Sequence, residues 1–359
     1  MQADGALPLH RIFGNHLTRA VWQHRKLHGF AAATFGLATA AWLKTGNMPD
    51  VAIVLDYGFY FLSAAWICGC IFALIRLFQL AVVERHPAPL GAFIRSFGPV
   101  FADGERLANG INGFVVLTLF AISFSTLKGA IVLFHPFSWD LTLDSADKVL
   151  HFGRAPYEWL PWLTGAPFVL WLVNFAYNFW FVVLLAAMFA TSFAAHDSRL
   201  RHRFLWSLML LWLGGGFFLA TVFSSAGPCF LARLGLSLDY QPLMTALETA
   251  NRHYPIWALS TQDTLWDGYT GARPGSAGIS AFPSMHVATA VLIALYAIRR
   301  SRLAGALLWM FAAVIMVGSV VLGWHYAVDG YAGALLAAVT WKVTGFVLQR
   351  RTPASLAEI

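Results

Sequence analysis

Charge is scarce in this sequence. Asp, Glu, Lys and Arg together make up 11% of the 359 residues, whereas hydrophobic residues make up 58%. A soluble globular protein carries about 25% charged residues, so this chain has too little charge to cover a surface that faces water. Its apolar runs also reach the length of about 20 residues that crosses a bilayer core of about 30 Å. The composition argues against a soluble protein and predicts an integral membrane protein.

Cysteine is also rare, and its spacing predicts no framework. Cys68 and Cys70 fall inside one apolar run, and Cys229 stands alone. This pattern matches neither a disulfide scaffold nor a structural zinc site. No His-Glu-x-x-His or comparable metal signature occurs either, so we expect neither a metal nor another cofactor.

The basic residues are dispersed rather than gathered into one patch. The net charge is +7, but the arginines and lysines lie between apolar segments, where the positive-inside rule places them. We therefore expect no nucleic-acid partner.

The long apolar runs predict helices, because a segment exposed to lipid must satisfy its own backbone hydrogen bonds. The prediction is an all-α polytopic fold of about eight transmembrane helices, centred on 27–43, 51–75, 111–134, 166–194, 203–226, 282–298, 303–322 and 326–348. With eight spans, the basic N-terminus, three basic connections and the basic end of the last span fall on one side, which should be the cytoplasm. The connections contain Arg85, Arg95 and Arg106; Arg199, Arg201 and Arg203; and Arg299, Arg300 and Arg302, and the last span ends with Arg350 and Arg351.

Three regions are predicted. Residues 1–110 form N-terminal accessory helices with an interfacial linker, 111–349 form a six-helix catalytic membrane domain, and 350–359 form a cytoplasmic tail. Two longer loops, 135–165 and 227–280, lie on the non-cytoplasmic side. In the first loop, the stretch LTLDSADKVLHF predicts a short helix at the membrane interface, with one apolar face. That face contains Leu143, Val149, Leu150 and Phe152.

Residues 281–286, with the sequence AFPSMH, put polar groups at the start of the sixth span. Pro283 suits a first helical turn, where its missing N–H is no loss. Ser284 offers a hydroxyl among free backbone donors, and His286 follows. Free N–H groups and the positive end of the helix dipole make such a position a site for anions.

Residues 323–330, with the sequence GWHYAVDG, open the eighth span. His325 and Asp329 are four residues apart, so on a helix they share a face. Asp329 can accept a hydrogen bond from one ring nitrogen and leave the other free, as in an oriented base or nucleophile. The pair could equally brace two helices, or join His286 as a three-ligand metal site.

The predicted topology brings both stretches to one face. The sixth and seventh spans form a hairpin that turns at 299–302, so the sixth and eighth spans begin on the same, non-cytoplasmic side. Ionisable groups within a membrane are costly and are candidates for function. A proton relay in a transporter or scramblase would place ionisable residues at mid-helix depth. In the predicted spans, Asp56 is the main ionisable residue at that depth.

These residues resemble the type 2 phosphatidic acid phosphatase superfamily, in the elements Pro283-Ser284-Met285-His286 and His325 to Asp329. More narrowly, Phe282 to His286, with His325-Tyr326 and Asp329, is similar to the inositol phosphorylceramide synthase (aureobasidin-resistance) branch. The stretch SSAGPCF at 224–230 resembles a Pro-containing element of that branch. The resemblance extends over residues from about 111 to 348.

The resemblance implies a catalytic role for each of three residues. His325 attacks the substrate phosphorus and forms a phosphohistidine, Asp329 orients it, and His286 protonates the leaving oxygen and then activates the acceptor. We therefore expect a lipid phosphotransferase that uses a membrane lipid as donor and a polyol or sugar alcohol, such as inositol, as acceptor. The alternative is a lipid phosphate phosphatase that uses water. We expect a bacterial inner membrane, with the active site on the non-cytoplasmic face.

The sequence departs from the phosphatase pattern in its cations. Phosphatases of this superfamily carry a Lys-x6-Arg-Pro element and an arginine shortly before the nucleophile. Neither occurs here, and 317–324 reads VGSVVLGW. Arg273 is therefore the first candidate for the phosphate clamp, with Arg233 and Arg252 behind it. Ser284 and Tyr326 are the other predicted substrate-binding residues.

Overall fold

The computed structural model describes residues 9–46, 51–194, 198–272 and 278–350. These residues fold into helices joined by turns, which confirms the all-α prediction. Two π-helical segments, Gln79–Val83 and Gly214–Leu219, extend the third and ninth helices. In chain order the helices are α1 Leu9–Gln23, α2 Arg25–Thr45, α3 Val51–Phe78, α4 Pro89–Ala102, α5 Gly104–Phe134, α6 Asp140–Leu150, α7 Pro161–Thr164, α8 Pro167–Ser192, α9 Ser198–Leu213, α10 Ala220–Val222, α11 Gln241–Asn251, α12 Trp257–Tyr269, α13 Met285–Ala297, α14 Arg302–Val321 and α15 Ala327–Arg350.

Within the described residues, five helical segments are long and apolar enough to cross a membrane, and they make the chain a polytopic membrane protein. They are Gly104–Phe134, Pro167–Ser192, Arg199–Val222, Arg302–Val321 and Ala327–Arg350. With the shorter apolar helix α13, they occupy the six positions predicted for the core. Helices α2 and α3 occupy the other two predicted positions.

Helix α13 lies at the centre of the bundle. Every residue from Val287 to Ala294 is buried, and the helix packs against α9, α14 and α15. Thirteen residues span only about 20 Å, which is less than a bilayer core of about 30 Å. Because neighbouring helices surround it, this helix does not have to cover the full thickness of the bilayer. Its N-terminus can therefore lie at the level of the non-cytoplasmic segments that connect the other spans.

The second long loop has more regular structure than its Gly-, Pro- and Ser-rich end indicated. It contains α11 and α12. Leu243, Leu247 and Ala250 line the buried side of α11, with the spacing of an amphipathic helix that covers a core.

Helix α6 is confirmed as a short helix, but its faces differ from the prediction. Leu143 is buried, whereas Val149 and Leu150 are exposed, as is Phe152 just beyond the helix. The buried side instead carries three carboxylates, Asp140, Asp144 and Asp147. These acids accept hydrogen bonds from backbone and hydroxyl donors of neighbouring segments. Their burial away from water is therefore compensated by hydrogen bonds.

Candidate active site

The segment 224–230 joins the two predicted motifs. The Ala281 N–H donates to the Ser225 carbonyl oxygen at 2.9 Å, and the Cys229 N–H donates to the Gly323 carbonyl oxygen at 2.9 Å. One short segment therefore holds the chain just before the Pro-Ser-x-His element and just before the His-x-x-x-Asp element.

Asp140 anchors this segment from the first turn of α6. Its carboxylate accepts the Ala226 N–H at 2.9 Å, the Gly227 N–H at 2.8 Å and the Tyr326 hydroxyl at 3.0 Å. Burial raises the pKa of this carboxyl, and its hydrogen bonds oppose the rise. Gly227 has a φ of 102°, and a Cβ there would lie 2.5 Å from the Trp324 carbonyl oxygen. The contact requires glycine for both reasons.

Asp147, at the far end of α6, caps α15. It accepts the Ala327 N–H at 2.6 Å and the Val328 N–H at 2.8 Å. Both are first-turn donors that have no partner inside the helix. The side chain is fully buried, and burial raises its pKa to about 6. Helix α6 thus fixes the start of the helix that carries Asp329.

His325 and Asp329 meet, but not on one helical face as expected. Helix α15 begins at Ala327, so His325 lies in the preceding turn. Its Nδ1 is 3.4 Å from Asp329 Oδ2, an ion-pair distance without the alignment of a hydrogen bond. The same carboxylate accepts the Tyr326 N–H at 3.1 Å. Catalytic pairs without substrate are often this loose.

His286 is the second residue of α13, and aromatic rings enclose it. Its ring centroid lies 4.5 Å from that of Tyr177 and 4.2 Å from that of Trp180. The Trp180 Nε1–H donates to the His286 carbonyl oxygen at 3.0 Å. The centroid of the His325 ring is 6.4 Å away. The structure therefore brings together the three residues predicted to be catalytic.

A backbone contact fixes the two motifs to each other. The Ser284 N–H donates to the Asp329 carbonyl oxygen at 3.0 Å. A Cβ on Gly333 would lie 2.5 Å from the Ser284 carbonyl oxygen, so this glycine allows α15 to approach. Ser284 also caps α13, because its hydroxyl accepts the Val287 N–H at 3.5 Å.

Lys128 is the cation that the sequence reasoning missed. It lies in the last turns of α5, close enough for its charge to act on His286. Its ammonium group has no hydrogen bond or ion pair with any residue that the structure describes. A signal was present: Lys128, His135 and Pro136 have the spacing Lys-x6-His-Pro, with histidine in place of the arginine of the Lys-x6-Arg-Pro element. A lone lysine in an apolar span was a second signal.

Several buried polar atoms near these residues have no partner among the described residues. They are the Tyr177 hydroxyl, His325 Nδ1 and Asp329 Oδ1. The His135 Nδ1 is a further one, seven residues beyond Lys128. An unsatisfied buried polar group costs about 1–3 kcal/mol, so such a cluster calls for an explanation. His325 Nδ1 and Asp329 Oδ1 belong to the loosely paired histidine and aspartate. Among the described residues, the Tyr177 hydroxyl is a free donor near His286, and together with the charge of Lys128 it fits a site that receives an oxygen of an anion. No three metal-ligating side chains in the described ranges are placed to hold a metal ion, so the three-ligand alternative has no geometric support.

The other predicted binding residues are less favourably placed. Ser284 is fully buried and Tyr326 is 1% exposed. Their hydroxyls contact the protein, so their contact with substrate stays a prediction. Arg233 pairs with Asp263, and Arg252 is exposed at the end of α11. Arg273 lies outside the described residues.

Comparison with known families decides the relationship. The profile of the PAP2 superfamily matches residues 142–343, which is more than half of the chain. The chain belongs to the PAP2 superfamily. Comparisons with curated proteins and with solved structures give no significant match.

Membership makes this PAP2 protein an enzyme of the phosphatase and phosphotransferase type that acts on lipid phosphates. Membership in the superfamily favours an enzyme over a transporter or scramblase. Both the Pro-Ser-x-His element and the His-x-x-x-Asp element lie inside the matched residues, whereas Lys128 and His135 precede them.

Proposed function

We propose that this PAP2 enzyme is a membrane lipid phosphotransferase that works through a phosphohistidine. The observation that supports it most is the meeting of His325, Asp329 and His286. The charge of Lys128, a cation with no ion-pair partner among the described residues, acts on His286. Phosphoryl transfer depends mainly on positioning and on stabilising charge, and this arrangement offers both.

The geometry supports different roles for the two ring nitrogens of His325. Its Nδ1 faces the Asp329 carboxylate, which leaves Nε2 to attack the phosphorus of the lipid donor. The bond between phosphorus and the leaving oxygen breaks, and that oxygen takes a proton from His286. Asp329 then stabilises the cationic phosphorylated imidazole.

In the second half of the reaction, His286 acts as a base instead of an acid. Neutral His286 takes the proton of the acceptor hydroxyl, and the resulting oxygen attacks the phosphorus. The bond between phosphorus and Nε2 breaks, which restores His325. Lys128 offsets the negative charge on the phosphoryl oxygens in both halves.

We infer a hydroxyl acceptor, such as inositol or another polyol, rather than water. His325 is only 8% exposed, and exclusion of water protects a reactive intermediate from hydrolysis. The histidine in place of arginine at 135 and the absence of arginine from 317–324 also separate this chain from the phosphatase pattern. The relation to the inositol phosphorylceramide synthase branch is part of this proposal.

The positive-inside rule supports an active site on the non-cytoplasmic face. His325 and Asp329 lie at the end of the bundle opposite the arginine-rich turn at 299–302. We assign catalysis to residues 111–349, an accessory role to 1–110, and a cytoplasmic tail to 350–359, in a bacterial inner membrane.

The test is to incubate purified full-length protein with lipid phosphates and phospholipids, with and without inositol or glycerol. A new lipid that carries the added polyol supports a transferase, whereas release of free phosphate or of a free phosphorylated headgroup in all conditions indicates a phosphatase. His325→Gln should lose turnover. His253→Gln, an exposed histidine between α11 and α12, is the matched control and should keep it. Full turnover in His325→Gln would refute the proposed nucleophile.

A further inference from the structure

A cavity of about 570 Å³ opens at the end of the bundle opposite His325. Nineteen residues of α5 separate Asn109, which lines this cavity, from Lys128. At 1.5 Å per residue, that is about 28 Å of helix. The cavity is therefore separate from the candidate active site. Its polar wall includes Arg25, Asp103, Glu105, Arg106, Asn109 and Arg201.

Three arginines line the cavity, and none of them forms an ion pair with a described residue. Arg25 donates to the Trp22 carbonyl oxygen at 3.0 Å, and Arg106 donates through Nε to the Phe193 carbonyl oxygen at 2.7 Å. A carbonyl orients a guanidinium but does not neutralise it. The charges face a space that a ligand can enter.

Arg201 is the buried member of this set. It is 5% exposed, and its Nε has no hydrogen-bond partner in the part of the chain that the structure describes. Its Nη2 lies 3.4 Å from His24 Nε2. The other nitrogen of that histidine lies 2.7 Å from the Ala20 carbonyl oxygen, which places the ring proton there and makes Nε2 an acceptor. Burial lowers the pKa of His24, between α1 and α2, to about 4, so the ring is neutral at pH 7.

The charge of Glu105, which also lines the cavity, acts on Arg201, but the two side chains form no ion pair among the described residues. A buried cation without a paired counter-charge is costly, because its attraction to a partner must offset its lost hydration. Here the cation lines a cavity, and Asn109 Oδ1 is a further buried atom without a hydrogen-bond partner among the residues described. Arginine fits phosphate with two parallel N–H donors. The combination indicates a phosphate-bearing ligand that also carries a donor for Asn109, Asp103 or Glu105.

The level of the cavity relative to the bilayer indicates where this ligand comes from. Helix α1 packs beside α5, and it exposes Leu17, Val21 and Trp22. The Arg25 guanidinium lies 3.8 Å from the centroid of the Trp22 ring. Amphipathic helices with tryptophan and arginine lie at the level of the lipid headgroups. Because Trp22 and Arg25 both line the cavity, we infer that the cavity opens at that level.

We propose that this cavity binds the headgroup of a phospholipid from the leaflet at the basic end of the bundle. Arg201, Arg106 and Arg25 bind the phosphate. Asp103 and Glu105 accept hydrogen bonds from the ammonium or hydroxyl group of the same headgroup. The bound lipid joins α1 to α5 and lies apart from the lipid that reacts.

A photo-crosslinker at position 23, which lines the cavity, tests this directly. The full chain with Gln23→p-benzoylphenylalanine is placed in nanodiscs of phosphatidylcholine with either phosphatidylethanolamine or phosphatidylglycerol, irradiated, and analysed by mass spectrometry. We expect a phospholipid adduct at position 23, enriched in one of the two added lipids over phosphatidylcholine. An adduct in proportion to bulk composition would overturn the proposal.

Charge variants in the same background provide the second readout. Arg25→Gln, at an exposed position, should lower the adduct yield about tenfold, the effect of losing about 1.4 kcal/mol of contact. Arg201→Gln should do the same, provided that it folds. Arg302→Gln is the matched control, since Arg302 is exposed at the same end and does not line the cavity. Unchanged yield in Arg25→Gln and in folded Arg201→Gln would contradict the proposal.

Two further arms separate the source of the phosphate and the two sites. Glycerophosphoethanolamine added to protein in lipid-free detergent should give little adduct at position 23; an adduct yield there equal to that in nanodiscs would show a soluble ligand and overturn the lipid assignment. His325→Gln should keep the full adduct yield, because the active site lies about 28 Å away along α5. Failure of the proposed transferase reaction would therefore leave this result unchanged.

Discussion

Ser284 donates its backbone N–H to the carbonyl oxygen of Asp329 across 3.0 Å. This bond joins the residue that caps α13 to the residue that orients His325. The position of His286, two residues after Ser284, is thereby tied to the position of the proposed nucleophile. Two rings on separate segments can act on one phosphorus atom only if their spacing is held, and a backbone contact holds it without depending on side-chain rotamers.

Gly227→Ala should reduce stability and activity together. The new Cβ would lie 2.5 Å from the Trp324 carbonyl oxygen, at a φ of 102°, so the turn before His325 must shift. We expect a loss of about 1–3 kcal/mol from the strained backbone, with kcat lowered as well. Thermal unfolding in detergent and turnover measure the two effects.

Gly235→Ala is the control for Gly227→Ala. Gly235 also has a positive φ, 69°, but a Cβ there meets nothing within 4 Å. It should lose stability through backbone strain alone and keep kcat. Equal losses of kcat in both variants would show that the contact with Trp324 does not position His325.

Lys128→Met should lower kcat/KM by about 10²–10³, the effect of removing one preorganised group that stabilises charge. Lys128→Arg keeps the charge and should recover part of the rate. Lys342→Met is the matched control, because Lys342 is an exposed lysine of α15. If the two Met variants had equal kcat/KM, Lys128 would not be the phosphate clamp.

Sequence patterns predicted the parts of this molecule that depend on local rules. Apolar length gave the spans, and residue spacing gave the meeting of His325 with Asp329. The supports of the site were beyond such rules. Asp140 and Asp147 lie in a stretch whose apolar residues indicated a buried side, yet the acids are buried because backbone N–H groups of distant segments need acceptors. Tyr326 turns inward because its hydroxyl donates to the buried Asp140.

Asp147 should make stability depend on pH. Its folded-state pKa of about 6 lies above the ordinary value for aspartate of about 3.9, so the folded protein holds this proton more tightly than the unfolded chain. The contribution is full below about pH 4 and is lost as the pH rises through about 6. The loss amounts to about 2–3 kcal/mol.

Asp147→Asn cannot titrate and isolates this effect. The Tm of the natural protein minus that of Asp147→Asn should be largest at pH 4.5 and should fall by pH 8. Thermal unfolding across that range measures the difference, and other titrating groups cancel because both proteins contain them. A difference that stays constant with pH would show that the buried carboxyl does not titrate near 6.

His286→Gln should separate the two halves of the proposed reaction. With a lipid donor, both halves need His286, first as the acid for the leaving oxygen and then as the base for the acceptor. A donor with a p-nitrophenolate leaving group needs no proton on departure. In His286→Gln, that donor should still phosphorylate His325, and the acid-labile phosphoenzyme should accumulate because the second half remains slow. Natural protein should show turnover with little accumulation, and His286→Gln combined with His325→Gln should show no label. If the single variant gave no labelled protein with the p-nitrophenyl donor, either His286 would be needed for attack itself or no covalent intermediate would form. In the second case, direct transfer to the acceptor would replace the two-step reaction.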